Sequence, residues 1–129
     1  MSKEIKEIIE GNKLIDIFMN PKHTISGYWI HWNDGHGSQS HVETLEYHSS
    51  WDWLMPVVEK MSKIKCTWTN VEPHETDTYY PRTFGMLNAE TKRPMVRINS
   101  NSLFEADTLI EATWLAVINF ITWYNQQNT

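Results

Sequence analysis

The fold is decided by the stretch YHSSWDWLMPVVEK, residues 47–60, which lies near the middle of the 129-residue chain. Two serines and an aspartate precede its apolar part, and this is the composition of a helix start. Large aromatic rings dominate the energetics of whatever surface they bury. The stretch therefore predicts a helix that ends near Ser62 and forms the centre of a core. The alternative is a binding pocket lined by Tyr47, His48, Trp51 and Trp53.

The start of this central helix has two alternative positions. Ser49, with Asp52 three residues later, resembles a capping box, and this start leaves Pro56 inside the helix, where its ring bends the chain. Alternatively Asp52 is itself the N-cap, and Pro56 then lies in the first turn, where its missing N–H costs little. In both cases we expect Glu59 and Lys60 to face water.

Two further helices are predicted toward the ends of the chain. In residues 2–19, isoleucines recur at helical spacing with lysines and glutamates between them. Near the C-terminus, Thr108 and Glu111 form a capping-box pattern that opens a helix running to about Asn125. Both patterns indicate amphipathic helices that pack on a core.

Alternating apolar and polar residues predict the strands. We expect strands at residues 27–33, 42–47 and 64–69, a long loop at 70–82, and a hairpin formed by 83–87 and 94–99. Consecutive strands with short connections favour antiparallel pairing, so the fold class is α+β: one domain, residues 1–129, with about three helices on an antiparallel sheet of about four strands. The predicted core consists of Ile30, Trp32, Trp53, Val57, Cys66, Trp68, Val96, Ile98, Trp114, Val117 and Ile121.

Composition excludes several classes of protein. A single cysteine, Cys66, rules out an intrachain disulfide and suits a reducing compartment. The net charge of −5 argues against nucleic acid as a partner, because binding to phosphates needs a basic face. No apolar run approaches the ~18 residues of a membrane span, and no signal peptide is recognisable. We expect a cytoplasmic protein with no membrane contact, and Cys66 as a core residue.

The histidines raise the question of a metal site. His31, His36 and His41 are spaced five residues apart, and Asp34 lies between the first two. Zinc needs three or four converging donors, and this spacing matches no recognised ligand pattern. A solvated loop is therefore the preferred interpretation, with neither metal nor cofactor expected. The rival hypothesis is a small metal-assisted hydrolase that uses these groups.

The remaining motifs assign no catalytic residue and leave a binding site open. No phosphate-binding glycine loop, nucleophile elbow or assignable carboxylate pair is present, so no catalytic residue can be named. Aromatic rings can stack a nucleotide base. Arg82, Arg93 and Arg97 are interpreted as solvated sheet and loop residues, and the alternative is that they hold phosphate. The loops 33–41 and 70–82 are the expected walls of such a site. The candidate ligand contacts are Trp29, His31, His36, Tyr79, Tyr80 and Arg82.

Two segments resemble a family of small uncharacterised proteins encoded by bacteriophages and prophages. They are HSSWDWLMPVVEK, residues 48–60, and IEATWLAVINFITWYN, residues 110–125; Asn12–Ile15 followed by Phe18-Met19 fits the family's N-terminal segment. The resemblance implies a phage accessory protein in the bacterial cytoplasm that captures a small-molecule nucleotide signal or a host protein. It carries over no catalytic residue. A structural or protein-interaction subunit, with an exposed apolar patch, is the further alternative.

Overall fold

The computed structural model describes residues 2–33, 35–69, 76–79, 81, 83–98 and 102–127. Within this part of the chain there are three α-helices, eight short strands and one 3₁₀ turn at Val42–Thr44. The helices are α1 (Ser2–Met19), α2 (Trp51–Ser62) and α3 (Leu109–Gln127). The strands are β1 (Thr24–Ser26), β2 (Trp29–His31), β3 (Gln39–His41), β4 (Cys66–Thr69), β5 (Thr76–Tyr79), β6 (Thr83–Leu87), β7 (Pro94–Ile98) and β8 (Ser102–Glu105).

The strands form three antiparallel sheets rather than one. Their orders are β1–β2–β3, β4–β5 and β6–β7–β8, so within each sheet every strand pairs with its neighbour in sequence. The α+β class predicted from the sequence is confirmed, and the single sheet of about four strands is wrong. The strands are only three to five residues long, and nearby turns reverse the chain. Each strand therefore pairs within its own hairpin.

The last helix, and not the central one, is the main packing element. α3 contacts α1, α2 and the β6–β7–β8 sheet. It buries Ala112, Ala116, Val117 and Ile121, and the alanines allow close approach of its neighbours. α2 buries Leu54, Val57 and Met61, while Trp51 is exposed and Trp53 is half-buried. The prediction that the aromatics of residues 47–60 form the centre of the core is therefore wrong for the two tryptophans.

The boundaries of the first and last helices were more predictable than the start of α2. α1 spans the predicted residues 2–19. At the start of α3 the Glu111 N–H donates to Thr108 Oγ1 at 3.2 Å, which confirms this half of the predicted capping box. α2 begins at neither predicted position: Ser50 is the N-cap, its side chain makes no capping hydrogen bond, and Pro56 lies inside the helix.

The strand predictions had mixed outcomes. The hairpin of β6 and β7 is confirmed, with Gly85 opposite Val96. The predicted strand at 27–33 is shortened to β2, because a turn at Gly27, whose φ is +60°, precedes β2 and separates it from β1, which was not predicted. The predicted strand at 42–47 is a 3₁₀ turn followed by coil, the loop prediction for 70–82 is wrong at Thr76–Tyr79, and β8 was not predicted.

Most of the predicted core is confirmed. The buried members are Ile30, Val57, Cys66, Val96, Ile98, Trp114, Val117 and Ile121. Trp32 is 45% exposed, because β2 ends at His31 and the chain turns away beyond it. The side chain of Trp68 lies outside the described part of the structure. No helix among the described residues has the length and apolarity that a bilayer span requires.

Candidate functional site

A buried asparagine on α1 ties three distant segments together. Trp114 Nε1 donates to Asn12 Oδ1 at 2.9 Å, and Asn12 Nδ2 donates to the Leu45 carbonyl at 3.3 Å. Asn12 Nδ2 also lies 2.9 Å from His48 Nδ1. These bonds hold the 45–48 segment against α1 and α3. They thereby fix one wall of the pocket described below.

The chemistry of the donors sets the protonation of this network. An indole N–H can only donate, so the oxygen of the Asn12 amide must face Trp114 and its nitrogen must face His48. His48 Nδ1 is therefore an acceptor, and the imidazole carries its proton on Nε2. Burial lowers the pKa of His48, and the negative charge of Glu46 opposes this only in part. The neutral ring is thus the form that the fold accommodates.

Next to this network lies a pocket of about 430 Å³, which we call the His23 pocket. Its lining comes from the end of α1, the loop after it, the end of β2, β3, the 3₁₀ turn and α2. The lining residues are Asp16, Asn20, His23, Trp32, Ser40, Thr44, Leu45, Tyr47 and Trp53. This volume and the combination of aromatic walls with a few polar groups are typical of small-molecule sites.

A buried carboxylate holds the histidine of this pocket. Asp16 Oδ2 lies 3.0 Å from His23 Nδ1, and Asn20 Nδ2 donates to Asp16 Oδ1 at 3.3 Å. Both carboxylate oxygens are therefore hydrogen-bonded, as burial of such a group requires. Because an ionised carboxylate only accepts, Nδ1 of His23 carries a proton, and Nε2 is the ring nitrogen left for a ligand.

Aromatic rings form the walls of the His23 pocket. The Trp32 indole stacks on the His23 ring with centroids 5.3 Å apart and planes inclined by 21°. Trp32 Nε1 donates to Ser40 Oγ at 3.2 Å, which fixes the orientation of the indole. On the α2 side, Trp53 packs edge-on against Tyr47 at 5.1 Å. The pocket thus presents one half-exposed indole and a second, half-buried one to a ligand.

Tyr47 stays a neutral phenol. Its burial, and secondarily the negative charge of Asp16, raise its pKa to about 12. Its hydroxyl therefore keeps its proton throughout the physiological pH range.

A second groove, of about 540 Å³, lies between the N-terminal half of α1 and the turn at Gly27 and Tyr28. Lys13 Nζ is 5.6 Å from the centre of the Tyr28 ring and 3.2 Å from Glu10 Oε1. Tyr28 also stacks on His41. Glu10 neutralises the charge of Lys13. The groove therefore attracts an anion less strongly than its two lysines alone would.

The structure does not gather the predicted ligand contacts into one site. Trp29 and His31 lie on the face of β2 opposite the buried Ile30, and neither lines the His23 pocket. His36 is exposed in the turn before β3. The backbone of Tyr79 pairs with Cys66. The side chain of Tyr79, and all of Tyr80 and Arg82, lie outside the described residues.

Sequence reasoning missed Asp16 and His23, although α1 carried a signal for them. Asn12, Asp16 and Asn20 recur every four residues and therefore form one polar row on a helix face. Asn12 and Asp16 are among the most buried residues of α1. A polar row on the buried side of a helix is informative, because buried polar groups need specific partners.

The described residues of the rival metal hypothesis and the described arginines that could hold an anion do not form part of the His23 pocket. In the ranges that the structure describes, which omit Asp34, no group of three or more His, Cys, Asp or Glu side chains converges on a common point. His41 Nδ1 instead accepts from the Glu43 N–H at 3.2 Å and caps the 3₁₀ turn. Arg93 pairs with Asp107 at 3.0 Å and does not line the His23 pocket.

Comparison of the chain with protein-family models, with curated proteins and with solved structures gave no match.

Proposed function

We propose that this chain is a non-catalytic binding protein that captures a small planar molecule in the His23 pocket. The observation that carries the proposal is the stack of Trp32 on His23, whose Nδ1 is held by the buried Asp16. A structural role in packing would not require a half-exposed indole fixed by its own hydrogen bond to Ser40. An oriented indole beside an imidazole is a surface on which a planar ring can stack.

The charges of the pocket define its ligand further. Among the residues that the structure describes, its lining includes Asp16 and no lysine or arginine, so a phosphate group inside it would meet a carboxylate without a compensating cation from them. His23 Nε2 and the hydroxyl groups of Ser40 and Thr44 can exchange hydrogen bonds with the edge of a heterocycle. The ligand class that fits is an uncharged heteroaromatic ring such as a nucleobase. A nucleotide would insert its base and leave its phosphates outside.

The resemblance to phage-encoded proteins supports the same class of function. An accessory protein of a phage can act by stoichiometric capture of a signalling molecule, without turnover. Under this proposal the protein removes a base-containing molecule from solution. We expect one ligand per His23 pocket and release of that ligand unchanged.

A thermal-shift panel of free bases, nucleosides and nucleotides tests the proposal. A ligand at about 100 times its Kd should stabilise the fold by about 2.7 kcal/mol, which is a readily measured increase in Tm. Trp32→Ala should reduce the stabilisation to about 0.3–1.7 kcal/mol, because base stacking contributes about 1–3 kcal/mol per ring. Trp29→Ala is the matched control, since Trp29 is 48% exposed but lies on the opposite face of β2.

Two results would contradict the proposal. The first is the absence of any shift across the panel. The second is a ligand whose increase in Tm survives Trp32→Ala and is lost in Trp29→Ala. This result would place the site on the face of β2 that carries Trp29. Circular dichroism of both variants establishes that each remains folded.

A second function is favoured by the Asp16–His23 pair. A carboxylate on Nδ1 orients an imidazole so that Nε2 can accept a proton, which is the arrangement of a general base. On this alternative the protein is a hydrolase and His23 activates water. Mass spectrometry of the bound molecule distinguishes the two: capture returns it intact, whereas hydrolysis releases products at a rate that His23→Gln lowers.

A further inference from the structure

The β6–β7–β8 sheet has one face on α3 and a second face that no helix covers in the described structure. Val96 and Ile98 are buried, and a Cβ added at Gly85 would lie 3.2 Å from Leu109 of α3, so these positions belong to the inner face. Successive residues of a strand alternate between faces. The second face, which we call the outer face, therefore consists of Phe84, Met86, Met95, Arg97, Leu103 and Glu105.

The register arranges these residues in two rows across the sheet. Phe84, Arg97 and Leu103 are paired in one row, and the second row is Met86, Met95 and Glu105. Phe84 and Leu103 are 52% and 54% exposed. An antiparallel sheet that faces water on one side normally carries polar residues there, whereas four of these six are apolar. Exposed apolar patches of this kind mark interaction sites.

Arg97 lies at the centre of its row with an unsatisfied donor. Among the described residues, its Nε is the buried side-chain nitrogen or oxygen that has no hydrogen-bond partner. By contrast, the neighbouring Arg93 is paired with Asp107. Buried polar groups are normally satisfied, so the orphaned Nε marks Arg97 as a residue that the described part of the chain does not engage by hydrogen bonding at this atom.

The acceptor that fits is present on the same face. Glu105 occupies the adjacent row, and its Oε1 accepts from Thr91 Oγ1, which leaves the carboxylate with capacity for an arginine. No ion pair between Arg97 and Glu105 exists within the described chain. One surface thus offers both an unpaired guanidinium and a carboxylate.

We propose that the outer face is the interface of a two-fold symmetric homodimer. In such an interface the same patch faces itself, so a residue on one subunit contacts a different residue of the other, and the reverse contact follows by symmetry. Arg97 of each subunit pairs with Glu105 of the partner subunit, and the apolar side chains of both rows pack between the two pairs. An unrelated acidic partner would pair with Arg97, but its negative charge would then face the carboxylate of Glu105. A second copy of the chain supplies both an arginine and a carboxylate, so it is the occupant that the charges favour.

Sedimentation of the wild-type protein over a range of concentrations is the first test. The proposal predicts a reversible dimer. Arg97→Glu should produce a monomer, because carboxylates of the two subunits then face each other across the axis. Glu105→Arg should also produce a monomer, because guanidinium groups of the two subunits then face each other. Juxtaposed like charges at this position should raise the dimer dissociation constant by about a hundredfold or more.

Mixing the two monomeric variants is the decisive experiment. In the mixed pair, the subunit with Arg97→Glu presents only carboxylates at these positions and the subunit with Glu105→Arg presents only guanidinium groups. The mixture should therefore form a one-to-one dimer, although neither variant dimerises alone. A loss of folding in either variant could not produce this recovery. Met55→Glu, at a residue 44% exposed on α2, is the matched control and should leave the wild-type dimer intact.

Three outcomes would overturn the proposal. A wild-type protein that remains monomeric at about 100 µM, where dimers of ordinary affinity are populated, has no such interface. A dimer that persists in both charge variants uses another surface. Variants that are monomeric and do not associate when mixed lack the crossed pairing of Arg97 and Glu105.

Discussion

At the scale of single residues, Tyr47 offers a test of the electrostatics of the His23 pocket. Below pH 10 both the native and the unfolded chain hold the phenolic proton. Between pH 10 and the native pKa of about 12, the unfolded chain loses this proton while the native state keeps it. Native Tyr47 then binds more protons than unfolded Tyr47, so the free energy of unfolding falls as the pH rises through this window.

We expect the difference between the native and unfolded pKa of Tyr47 to lower the free energy of unfolding by roughly 2–3 kcal/mol over the whole window, since one pKa unit corresponds to about 1.4 kcal/mol. Urea denaturation between pH 8 and 11 measures the slope, which should flatten in Tyr47→Phe. Tyr28→Phe, at an exposed ring, serves as the control and should keep the wild-type slope. Equal slopes in the wild type and in Tyr47→Phe would show that Tyr47 is not desolvated in the native state.

Also at the residue scale, Trp32 shows how a correct pattern gave a wrong conclusion. Alternation placed Trp32 on the same face as Ile30, and Ile30 is buried as predicted. The strand, however, ends at His31, and the Trp32 N–H donates to the Ser38 carbonyl across the turn. Alternation holds only while the strand continues. The contact of Trp32 with His23 depends on this turn, and the pattern therefore could not reveal it.

At the scale of elements, the crossing of α1 and α3 explains Gly11. In sequence, a glycine in a helix interior only weakens the helix. In the structure, a Cβ at Gly11 would lie 2.4 Å from Ile118 Cδ1 and 2.4 Å from Trp114 Cζ2. The absence of a side chain is therefore what allows the two helices to approach closely enough for Trp114 to reach Asn12.

Gly11→Ala should consequently destabilise the protein although alanine is the better helix former. The higher helix propensity of alanine stabilises the protein by about 1 kcal/mol, whereas overpacking at a close contact typically destabilises it by about 1–3 kcal/mol. Trp114 cannot move freely, because its indole is hydrogen-bonded, so we expect the cost to exceed the gain. Thermal denaturation decides the sign. An increase in Tm would mean that the interface of α1 and α3 adjusts easily. Ser62→Ala near the end of α2, away from this crossing, controls for the effect of an alanine substitution as such.

The elements also show which parts of the fold could be predicted. α1, α3 and the hairpin of β6 and β7 were recognised because their signals are local: helical spacing, a capping pair and strand alternation. The pocket was not recognised, because Asp16, His23 and Trp32 become neighbours only after the chain reverses at Gly27. The start of α2 was ambiguous for a similar reason, since Ser49, Ser50 and Asp52 are all acceptable caps and tertiary packing selects among them.

At the scale of the whole molecule, Asn12 is the residue on which α1, α3 and the pocket wall jointly depend. Asn12→Ala removes the acceptor of Trp114 Nε1 and the donors to Leu45 and His48 in one step. Each buried polar group left unpaired costs about 1–3 kcal/mol, and a domain of this size has only about 5–15 kcal/mol in total.

We therefore expect Asn12→Ala to lose a large fraction of the stability of the protein, measurable by urea denaturation. It should also weaken ligand binding in the His23 pocket, because the 45–48 segment loses its attachment to α1. The control is Asn119→Ala, at an exposed position of α3. A variant of Asn12 with wild-type stability would show that water replaces the lost partners and that the network is not a structural requirement.

The hydrogen bond between Asn12 and Trp114 joins residues 102 positions apart. During synthesis, α1 leaves the ribosome long before its partner helix has been translated. Translation at about 5–20 residues per second makes this delay about 5–20 seconds, during which the apolar side of α1 has no α3 to cover it. The nascent chain must pass through this interval with Ile15 and Phe18 lacking their final neighbours, and its folding is completed only after its last helix has been made.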